Sequence, residues 1–598
     1  MDKNQATGLV LIFGILFVYF NFFVPKPSEL PEAIKTKTVK VDSSRPKSTD
    51  SQIALKALEK LGISDLGMIV DTAPVFLENS DLKLTISPIG AKIKIVELKN
   101  YKTWNGKPLF LVSEGRFGQN ITLPVAGKSL NISQLPFTSD QKNVKIDRDS
   151  MSFSFTCNIP GGGKITQKFT LPAKGYTVKY ALSTSGLQLS EKAQAELSYV
   201  LNANQLEKDI VQNQTTTCIN YYQEVEGFNN LTETSTTEEK AEINNPVKWF
   251  SFKQKFFNAG LISNSGFSNL KIRQITDETD TTSVKNMEAT FAAPIVNQSL
   301  GFKWYFGPNE FRTLKAVTAD YDKNLYLGWP VINLVNRFIT VNVFYWLEDV
   351  ISNYGVIIII LVLLIKLLLL PLSYKSYISM AKMKVLKPEL DEIKTRTGDD
   401  MQKAQAEQMK LYQQVGINPL SGCIPLLLQM PILLAMFNFF PNAIELRQES
   451  FWWAPDLSSY DSIATLPFKL PGYGDHVSLF TILMTASTLV LTWYNNQTTT
   501  VAGPMQSMSY IMPVVFMFIL NSLPAGLSFY YLVSNVVSIV QQQVIKRFVD
   551  EDKLRLNLEA NKVKNATKKK SGFAARLEEA MRMAQDSQKD KDKNKKLK

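Results

Sequence analysis

Long apolar runs alternate with long polar stretches along the chain, and the apolar runs have the length of membrane spans. The runs are Thr7–Val24, Tyr354–Tyr374, Leu420–Phe440, Val477–Tyr494 and Met508–Ile545. The last run is too long for one span, and the Asn-Ser-Leu-Pro-Ala-Gly stretch at 521–526 carries turn signals that divide it. The pattern therefore predicts six transmembrane helices. Residues 1–24 form the first as a retained signal anchor, since no small-residue cleavage signal follows.

The distribution of Lys and Arg over the loops predicts the orientation of these spans. The 375–417 loop holds eight basic residues, whereas the 441–476 loop holds only Arg447 and Lys469. The positive-inside rule places the 375–417 loop in the cytoplasm, and six spans then bring both termini to that side. The long insert after the first span falls outside the cytoplasm, because large domains translocate regardless of charge.

The insert reads as a β domain. Residues 92–95 and 151–155 alternate polar and apolar positions at period two, and Gly-rich turns separate such runs. Residues 25–55 are rich in Pro, Lys and Ser and predict a linker, which leaves 56–327 as a large external β-sandwich. Cys157 and Cys218 lie in this domain, and both a disulfide and two unpaired buried thiols are compatible with that compartment.

Between the insert and the second span, helical periodicity returns. Residues 328–353 show two faces at helical spacing, which predicts an amphipathic helix in the membrane interface. The apolar face holds Val331, Leu334, Val335, Phe338, Val341 and Tyr345, and the polar face holds Asn333, Asn336, Arg337 and Thr340. The second transmembrane helix is expected at 354–374, and four further spans at 418–545.

The predicted cytoplasmic loop at 375–417 has the pattern of a helical hairpin. Met383, Leu386, Leu390 and Ile393 form its apolar seam, and 397–400 form its turn. Its exposed faces are heavily charged. A solvated hairpin without a ligand and a docking element for a cytoplasmic partner both fit this pattern.

The amino-acid composition excludes some kinds of catalytic and metal site. The chain of 598 residues has 66 Lys and Arg against 54 Asp and Glu, one His and three Cys. A single His, His476, excludes catalytic triads based on His and metal sites with several His ligands. The tail at 546–598 holds 17 basic and 9 acidic residues, which is typical of a segment that binds phosphates of lipid or RNA, or of a solubilising disordered tail.

One charged side chain interrupts the apolar runs. Lys366 lies about 16 Å along its helix from Gly355, and the runs contain no Asp or Glu to pair with it. A cation at this depth requires water or polar partners, so we expect a hydrated cavity. The candidate lining residues are Gln429, Thr481, Thr485, Ser487, Thr488 and Ser534. The alternative is a Lys that snorkels to the cytoplasmic interface. The missing carboxylates argue against a proton-coupled pump.

Several motifs closely resemble the YidC/Oxa family of membrane protein insertases. These are Pro371-Leu372, Ser379–Met383, Gly416–Ile432, Tyr530–Asn535 and Gln541–Gln543, in the family's order over about 328–548. The resemblance implies an inner-membrane insertase and chaperone that acts alone or with the Sec translocon, without a cofactor. Lys366 occupies the position of the family's basic groove residue, which is usually Arg. Many members carry Thr where this chain has Val362.

The resemblance also implies roles for other parts of the chain. Gln429, Thr485, Thr488 and Ser534 would line a groove open to the cytoplasm and to lipid, together with the first two residues of the fourth motif, Tyr530 and Tyr531. The cytoplasmic hairpin would receive nascent membrane proteins, and the basic tail would hold the ribosome; no DNA partner is implied.

Two other classes of protein compete with this interpretation. A membrane-embedded Ser–Lys peptidase would use a desolvated Lys as general base, but no Ser motif accompanies Lys366. A small-solute transporter would show inverted repeats, which the sequence lacks. We therefore predict a polytopic α-helical membrane protein with a large extracytoplasmic β-sandwich, which is not an enzyme.

Overall fold

The structure is a computed structural model, and the chain forms two compact units. The described residues are 72–139, 141–159, 162–190, 192–277, 280, 282–398, 401–417, 424–470, 472–498 and 504–566. The first unit contains the described residues up to Gly328 together with Asn438–Ser459, and the second contains the rest. The predicted anchor, the linker, the turn residues 399–400, the motif residues 418–423 and the tail beyond 566 lie outside the described residues.

The first unit is built mainly of antiparallel strands. Its strands are β1 Val75–Glu78, β2 Leu82–Ser87, β3 Lys92–Lys102, β4 Pro108–Val112, β5 Phe117–Val125, β6 Lys128–Asn131, β7 Thr138–Ser139, β8 Asn143–Lys145, β9 Ser150–Ile159, β10 Gly163–Pro172, β11 Thr177–Ser185, β12 Gln194–Asn204, β13 Cys218–Gln223, β14 Gly227–Asn230, β15 Glu239–Ile243, β16 Val247–Lys253, β17 Phe257–Ile275, β18 Ser283–Pro294 and β19 Ser299–Pro308. Two short helices, α1 Ile210–Thr216 and α2 Phe311–Lys315, accompany them, with 3₁₀ turns at Ile132–Gln134, Tyr321–Asn324 and Ile444–Leu446.

These strands form two sheets that share one hydrophobic core. The smaller sheet has the order β4-β3-β2-β1-β8. The larger follows β6-β5-β12-β18-β17-β19-β11-β10-β9-β7, with β13 to β16 attached at its side. Large aromatic side chains such as Tyr199, Phe250 and Trp304 are fully buried between the sheets. The expected large β-sandwich is thus present. Cys157 and Cys218 are both buried free thiols, so they do not pair.

A segment from the distant part of the sequence completes this unit. Ile444, in Asn438–Ser459, joins the hydrophobic core of the β domain. Arg447 of the same segment pairs with Glu207, with Nε 2.8 Å from Oε1. The chain therefore passes between the two units three times, which the sequence did not indicate.

The second unit is mainly helical. Its helices are α3 Pro330–Val335, α4 Val341–Glu348, α5 Tyr354–Leu368, α6 Leu370–Val385, α7 Lys387–Thr397, α8 Met401–Val415, α9 Ile424–Phe439, α10 Leu479–Thr498, α11 Pro504–Leu520, α12 Ala525–Phe548 and α13 Glu551–Ala566. A π-helical turn, Asn336–Thr340, joins α3 to α4, and a hairpin of β20 Ala464–Leu470 and β21 Gly474–Val477 precedes α10.

Helices coincide with all five predicted spans that lie in the described part of the chain. Within that part, no helix taken alone combines the length and apolarity of a membrane span, but α5 and α6 do so together, with a bend of 62° between them. The bend has a local cause, because Pro371 at the start of α6 cannot donate the backbone hydrogen bond that would continue α5. The number of spans stays a prediction.

The helical stretch from α3 to α4 follows the predicted separation of polar and apolar residues in its first half only. Asn336 and Thr340 are buried against the unit, and the Asn336 amide donates to the carbonyl of Ala435 at 2.8 Å. Leu334 and Phe338 are exposed instead. The first half of the predicted apolar face is therefore directed outward, whereas Val341 and Tyr345 of that face are buried. The interfacial position stays a prediction.

Candidate functional site

Lys366 lies on α5 and points toward α12. The side chain of Asn353 caps α5 by accepting from the backbone N–H of Val356, which fixes the start of the helix. Lys366 is 9% exposed, and its Nζ donates to Oγ of Ser538 at 2.8 Å. In the part of the chain that the structure describes, no carboxylate pairs with Lys366. The ammonium group of Lys366 is therefore hydrogen-bonded to a neutral hydroxyl at the interface of α5 and α12.

Ser538 is a partner that sequence reasoning missed. Its hydroxyl accepts from Lys366 and donates to the carbonyl of Ser534, one turn earlier, at 2.7 Å. Ser534 itself is buried. The predicted residue Ser534 thus contributes its backbone oxygen, while the side chain that contacts the cation is four residues further along the same face.

Polar side chains join α10 and α12 at three levels. The Thr481 hydroxyl lies 3.4 Å from the Ser528 hydroxyl, and the Asn535 amide donates to Thr488 at 2.8 Å. The Gln542 amide donates to Asn495 at 3.1 Å. We call these six residues the polar ladder. From one contact to the next, the residue number rises by seven on both helices. Because the numbers increase together, α10 and α12 run parallel, and the ladder links them along their length.

The predicted lining residues on α9 and α10 differ in their hydrogen-bond partners. Thr481 and Thr488 belong to the polar ladder, and Ser487 accepts a second bond from the Asn535 amide at 3.0 Å. The Thr485 hydroxyl donates to the carbonyl of Thr481 at 2.8 Å within its own helix. Gln429 is half-buried on α9.

Two adjacent tyrosines lie in the second turn of α12. Tyr530 is buried and Tyr531 is half-buried, with their ring centroids 5.9 Å apart at right angles. The Tyr531 ring also packs against Phe437, with 5.4 Å between centroids. The two tyrosines lie about two turns before Ser538 on the same helix, and the structure gives neither of them a contact with Lys366.

A buried polar cluster stabilises the start of α10 and the turn before α12. The Asp461 carboxylate accepts from the backbone N–H groups of Leu479 and Phe480 at 2.9 and 3.1 Å, and so caps α10. The side-chain amide of Asn521 donates to the backbone carbonyl of His476 at 2.8 Å, and the backbone carbonyl oxygen of Asn521 lies 3.1 Å from Nε2 of the imidazole. His476 is buried in β21, so the single His has a structural environment.

The hairpin seam folds as one cluster. Met383, Leu386, Leu390 and Ile393 are buried together with residues of α8, and Leu558 of α13 completes the cluster. Two ion pairs attach α13 to the hairpin: Lys384 with Glu551 and Lys562 with Glu389, both at 2.8 Å. The first part of the predicted basic tail therefore packs on the hairpin.

The comparison with known families divides the chain between residues 345 and 346, whereas the two compact units divide it between 328 and 329. Residues 75–345 match the family described as the YidC periplasmic domain, and residues 346–552 match the family described as the 60Kd inner membrane protein. These matches define an inner-membrane protein with a periplasmic β domain.

Individual proteins agree with the family matches. A "Membrane protein insertase YidC" of Amoebophilus asiaticus is 44% identical over 591 residues, which cover 97% of this chain and 98% of the relative. The protein of the same description from Cytophaga hutchinsonii is 45% identical over 618 residues, with 98% of each chain covered. The solved "Active YidC insertase crystal structure with the first transmembrane domain resolved" is 18% identical with a TM-score of 0.33, covering 83% of this chain and 97% of that one.

The chain belongs to the YidC family of membrane protein insertases, as its motifs indicated. This is a family of inner-membrane insertases rather than of enzymes. Nascent membrane proteins and lipids follow from that role as its substrates and surroundings.

Proposed function

We propose that this protein inserts and helps to fold nascent inner-membrane proteins by presenting the positive charge of Lys366 to their external segments. The observation that carries the proposal is the placement of Lys366: a nearly buried ammonium group that contacts a neutral hydroxyl, 2.8 Å away, and no carboxylate among the described residues. An unpaired cation in surroundings of low dielectric attracts an acidic segment more strongly than an exposed one does.

The mechanism uses the charge in the approach of the substrate. The acidic external segment of a client approaches Lys366, whose ammonium group exchanges the Ser538 hydroxyl for a carboxylate, which forms a stronger, charge-assisted hydrogen bond. The client's apolar helix then moves along the neighbouring helices into lipid. Burial of about 20 apolar residues supplies the driving force without a nucleotide, since each Å² of apolar surface contributes about 25 cal/mol.

The roles expected for the hairpin, the Sec translocon and the tail extend this proposal. The hairpin of α7 and α8 receives the incoming chain on its charged faces, and the protein works alone or beside the Sec translocon. The basic tail holds the ribosome. Because α13 packs against the hairpin, we assign this role to residues 567–598. Loss of ribosome co-sedimentation after deletion of 567–598, with the hairpin intact, tests this role.

The insertion experiment compares two clients in proteoliposomes that contain the full chain alone. One single-span client has an acidic external tail, and the second has the same tail with Asn and Gln in place of Asp and Glu. We expect the Lys366→Arg variant to insert both clients and the Lys366→Ala variant to insert the acidic client more slowly. Lys366→Glu should reduce insertion of the acidic client by at least about tenfold. Lys375→Glu, an exposed charge reversal on α6, serves as the matched control.

The neutral client separates charge from structure. If Lys366→Glu reduces the insertion of both clients equally, Lys366 supports the helix packing and the charge mechanism is wrong. If all variants insert the acidic client alike, the position of the cation is irrelevant to insertion. Insertion no greater than with empty liposomes contradicts autonomous insertion.

The contact between Lys366 and Ser538 also allows the peptidase alternative to be tested. A general base would have to accept the Ser538 proton, but that hydroxyl donates to the carbonyl of Ser534 and accepts from Lys366. The insertase proposal therefore expects Ser538→Ala to retain insertion. Cleavage of a client by the wild type that Ser538→Ala abolishes would support the peptidase.

A further inference from the structure

The outer face of four neighbouring strands in the β domain is basic and lacks acidic residues. β9, β10, β11 and β19 contain no Asp or Glu at any position. Their inward side chains, such as Phe155, Phe169 and Trp304, are buried in the core, so alternation directs the polar ones outward. The outward lysines are Lys164, Lys168, Lys179 and Lys303; we call this surface the lysine face.

Two of these lysines stand directly opposite each other. Lys179 on β11 is the register partner of Lys303 on β19. Directly opposed side chains have Cβ atoms about 5 Å apart, and like charges in such a pair destabilise a sheet. Neither lysine forms an ion pair with a described residue. A sheet retains an arrangement of this kind at a cost to its stability, which an anion bound between the two ammonium groups would offset.

A cavity opens at this pair. It has a volume of about 380 Å³, and both lysines line it together with Thr177 and Thr313. The nearby carboxylate of Glu310 accepts from the hydroxyl of Thr313. The Thr313 hydroxyl is thereby occupied, so the cavity offers two ammonium groups and the hydroxyl of Thr177, groups that bind phosphate oxygens.

The remaining surface around the cavity consists of short hydroxyl side chains. The register places Ser152, Thr170, Lys179 and Lys303 in one row, and Ser154 and Lys168 in the next. Polypeptide partners are bound mainly through buried aromatic or aliphatic anchors. The four strands expose one large apolar side chain, Met151, at their end. A planar surface of phosphates fits this face better than a protein does.

We propose that the lysine face binds the phosphate headgroups of an anionic phospholipid surface, with one headgroup held between Lys179 and Lys303 in the cavity. The inference is independent of Lys366 and of the insertion mechanism, because it concerns residues of the β domain alone. It assigns the periplasmic domain a lipid-binding role.

The test uses the full chain in nanodiscs of neutral phosphatidylcholine, mixed with vesicles of phosphatidylcholine alone or with phosphatidylglycerol. We expect co-flotation with the anionic vesicles that decreases with salt. Lys179→Ser/Lys303→Ser should weaken it about 30-fold, since each lysine near an anionic surface contributes a factor of about five to six. The matched control is Lys240→Ser/Lys271→Ser. It removes two lysines outside the lysine face, on β15 and β17, which pair with Glu238 and Glu242.

A charge reversal separates binding from folding. Lys179→Glu places opposite charges across the strands, so the β domain should melt at a higher temperature while binding to anionic vesicles falls. Equal losses in the two double variants, or equal binding to neutral and anionic vesicles, would overturn the proposal. Inhibition of flotation by inorganic phosphate or by polyglutamate at low concentration would also overturn it, because the ligand would then be free phosphate or an acidic polypeptide.

Discussion

The ion pair between Arg447 and Glu207 makes the distant segment Asn438–Ser459 part of the β domain. Their side chains are 2% and 10% exposed. Arg447 also donates to the carbonyl of Lys102 at 2.6 Å, and its guanidinium lies 5.2 Å from the ring centroid of Phe257. Replacing Arg447 by Met keeps much of the side-chain volume and removes the charge, so Glu207 is left buried without its partner.

The size of this effect follows from the burial. Breaking one side of a buried pair costs about 3–5 kcal/mol, because the remaining charge is desolvated and uncompensated. In a domain of this size each kcal/mol lowers the melting temperature by about 2–4 °C, so Arg447→Met should lower it by about 6–20 °C. Arg447→Met/Glu207→Leu replaces both partners with apolar groups and should recover most of the loss.

The loss should also depend on pH. Burial raises the pKa of Glu207 in spite of the opposing charge of Arg447, and Arg447→Met removes that opposition. The folded variant then holds a proton on Glu207 at pH values where the unfolded chain has released it. The variant's deficit should therefore be small near the ordinary pKa of Glu and should increase as the pH rises above it. Lys255 and Asp456 also act on Glu207, and they are unchanged in all variants.

The two buried thiols of the β domain provide the assay. Cys157 and Cys218 are free and buried, and burial raises their pKa values to about 11 and about 12. A thiol-reactive dye therefore labels them when the domain unfolds, and a Cys423→Ser background removes the third cysteine. Arg273→Met, which breaks an exposed pair with Glu238, is the control and should cost under about 1 kcal/mol.

The reasoning is refuted if Arg447→Met melts within about 2 °C of wild type, since a buried, uncompensated carboxylate must cost more than that. It is also refuted if the double variant melts below the single variant, because two apolar groups would then be worse than an unpaired charge.

Two further predictions concern other buried contacts. Leu558→Ala should release α13 from the hairpin, because Leu558 is 3% exposed in the shared cluster and its truncation costs about 2–5 kcal/mol. Faster proteolysis of Glu551–Ala566 than in the exposed control Leu556→Ala measures this, and equal rates contradict it. Burial lowers the pKa of Lys285 from 10.5 to about 8, so the unfolded chain binds more protons and the wild-type β domain should gain stability between these pH values. Lys285→Met should remove this gain from the melting curves, whereas parallel wild-type and variant curves would show that Lys285 does not titrate there.

The β domain was predictable because its strands carry a local signal. In β9, β10 and β11 buried and exposed positions alternate almost without exception, so a period of two identifies both the strand and its inward face. The attachment of Asn438–Ser459 has no such signal. Arg447 lies 240 positions from Glu207, and in the sequence it is one of two basic residues in a loop between predicted spans.

The site was predictable as far as single residues carry unusual properties. Lys366 was identified because a charge in an apolar run is exceptional, whichever helix it faces. Ser538 was not, because serine is common in membrane helices and only the neighbouring α5 gives this one a role. The polar ladder is intermediate: the seven-residue spacing of Thr481, Thr488 and Asn495 is visible in the sequence, but its meaning depends on α10 and α12 being parallel neighbours.

The polar ladder changes what distinguishes Lys366. The sequence suggested that hydroxyl and amide groups would line the cavity around the cation, yet Thr488 and Asn535 bond to each other and hold two helices together. A polar group whose hydrogen bonds are satisfied within the protein contributes little to attracting a substrate. Lys366, with one neutral partner, keeps most of its charge uncompensated. Substitutions in the ladder should therefore affect both acidic and neutral clients through helix packing, whereas only substitutions at Lys366 should discriminate between the two.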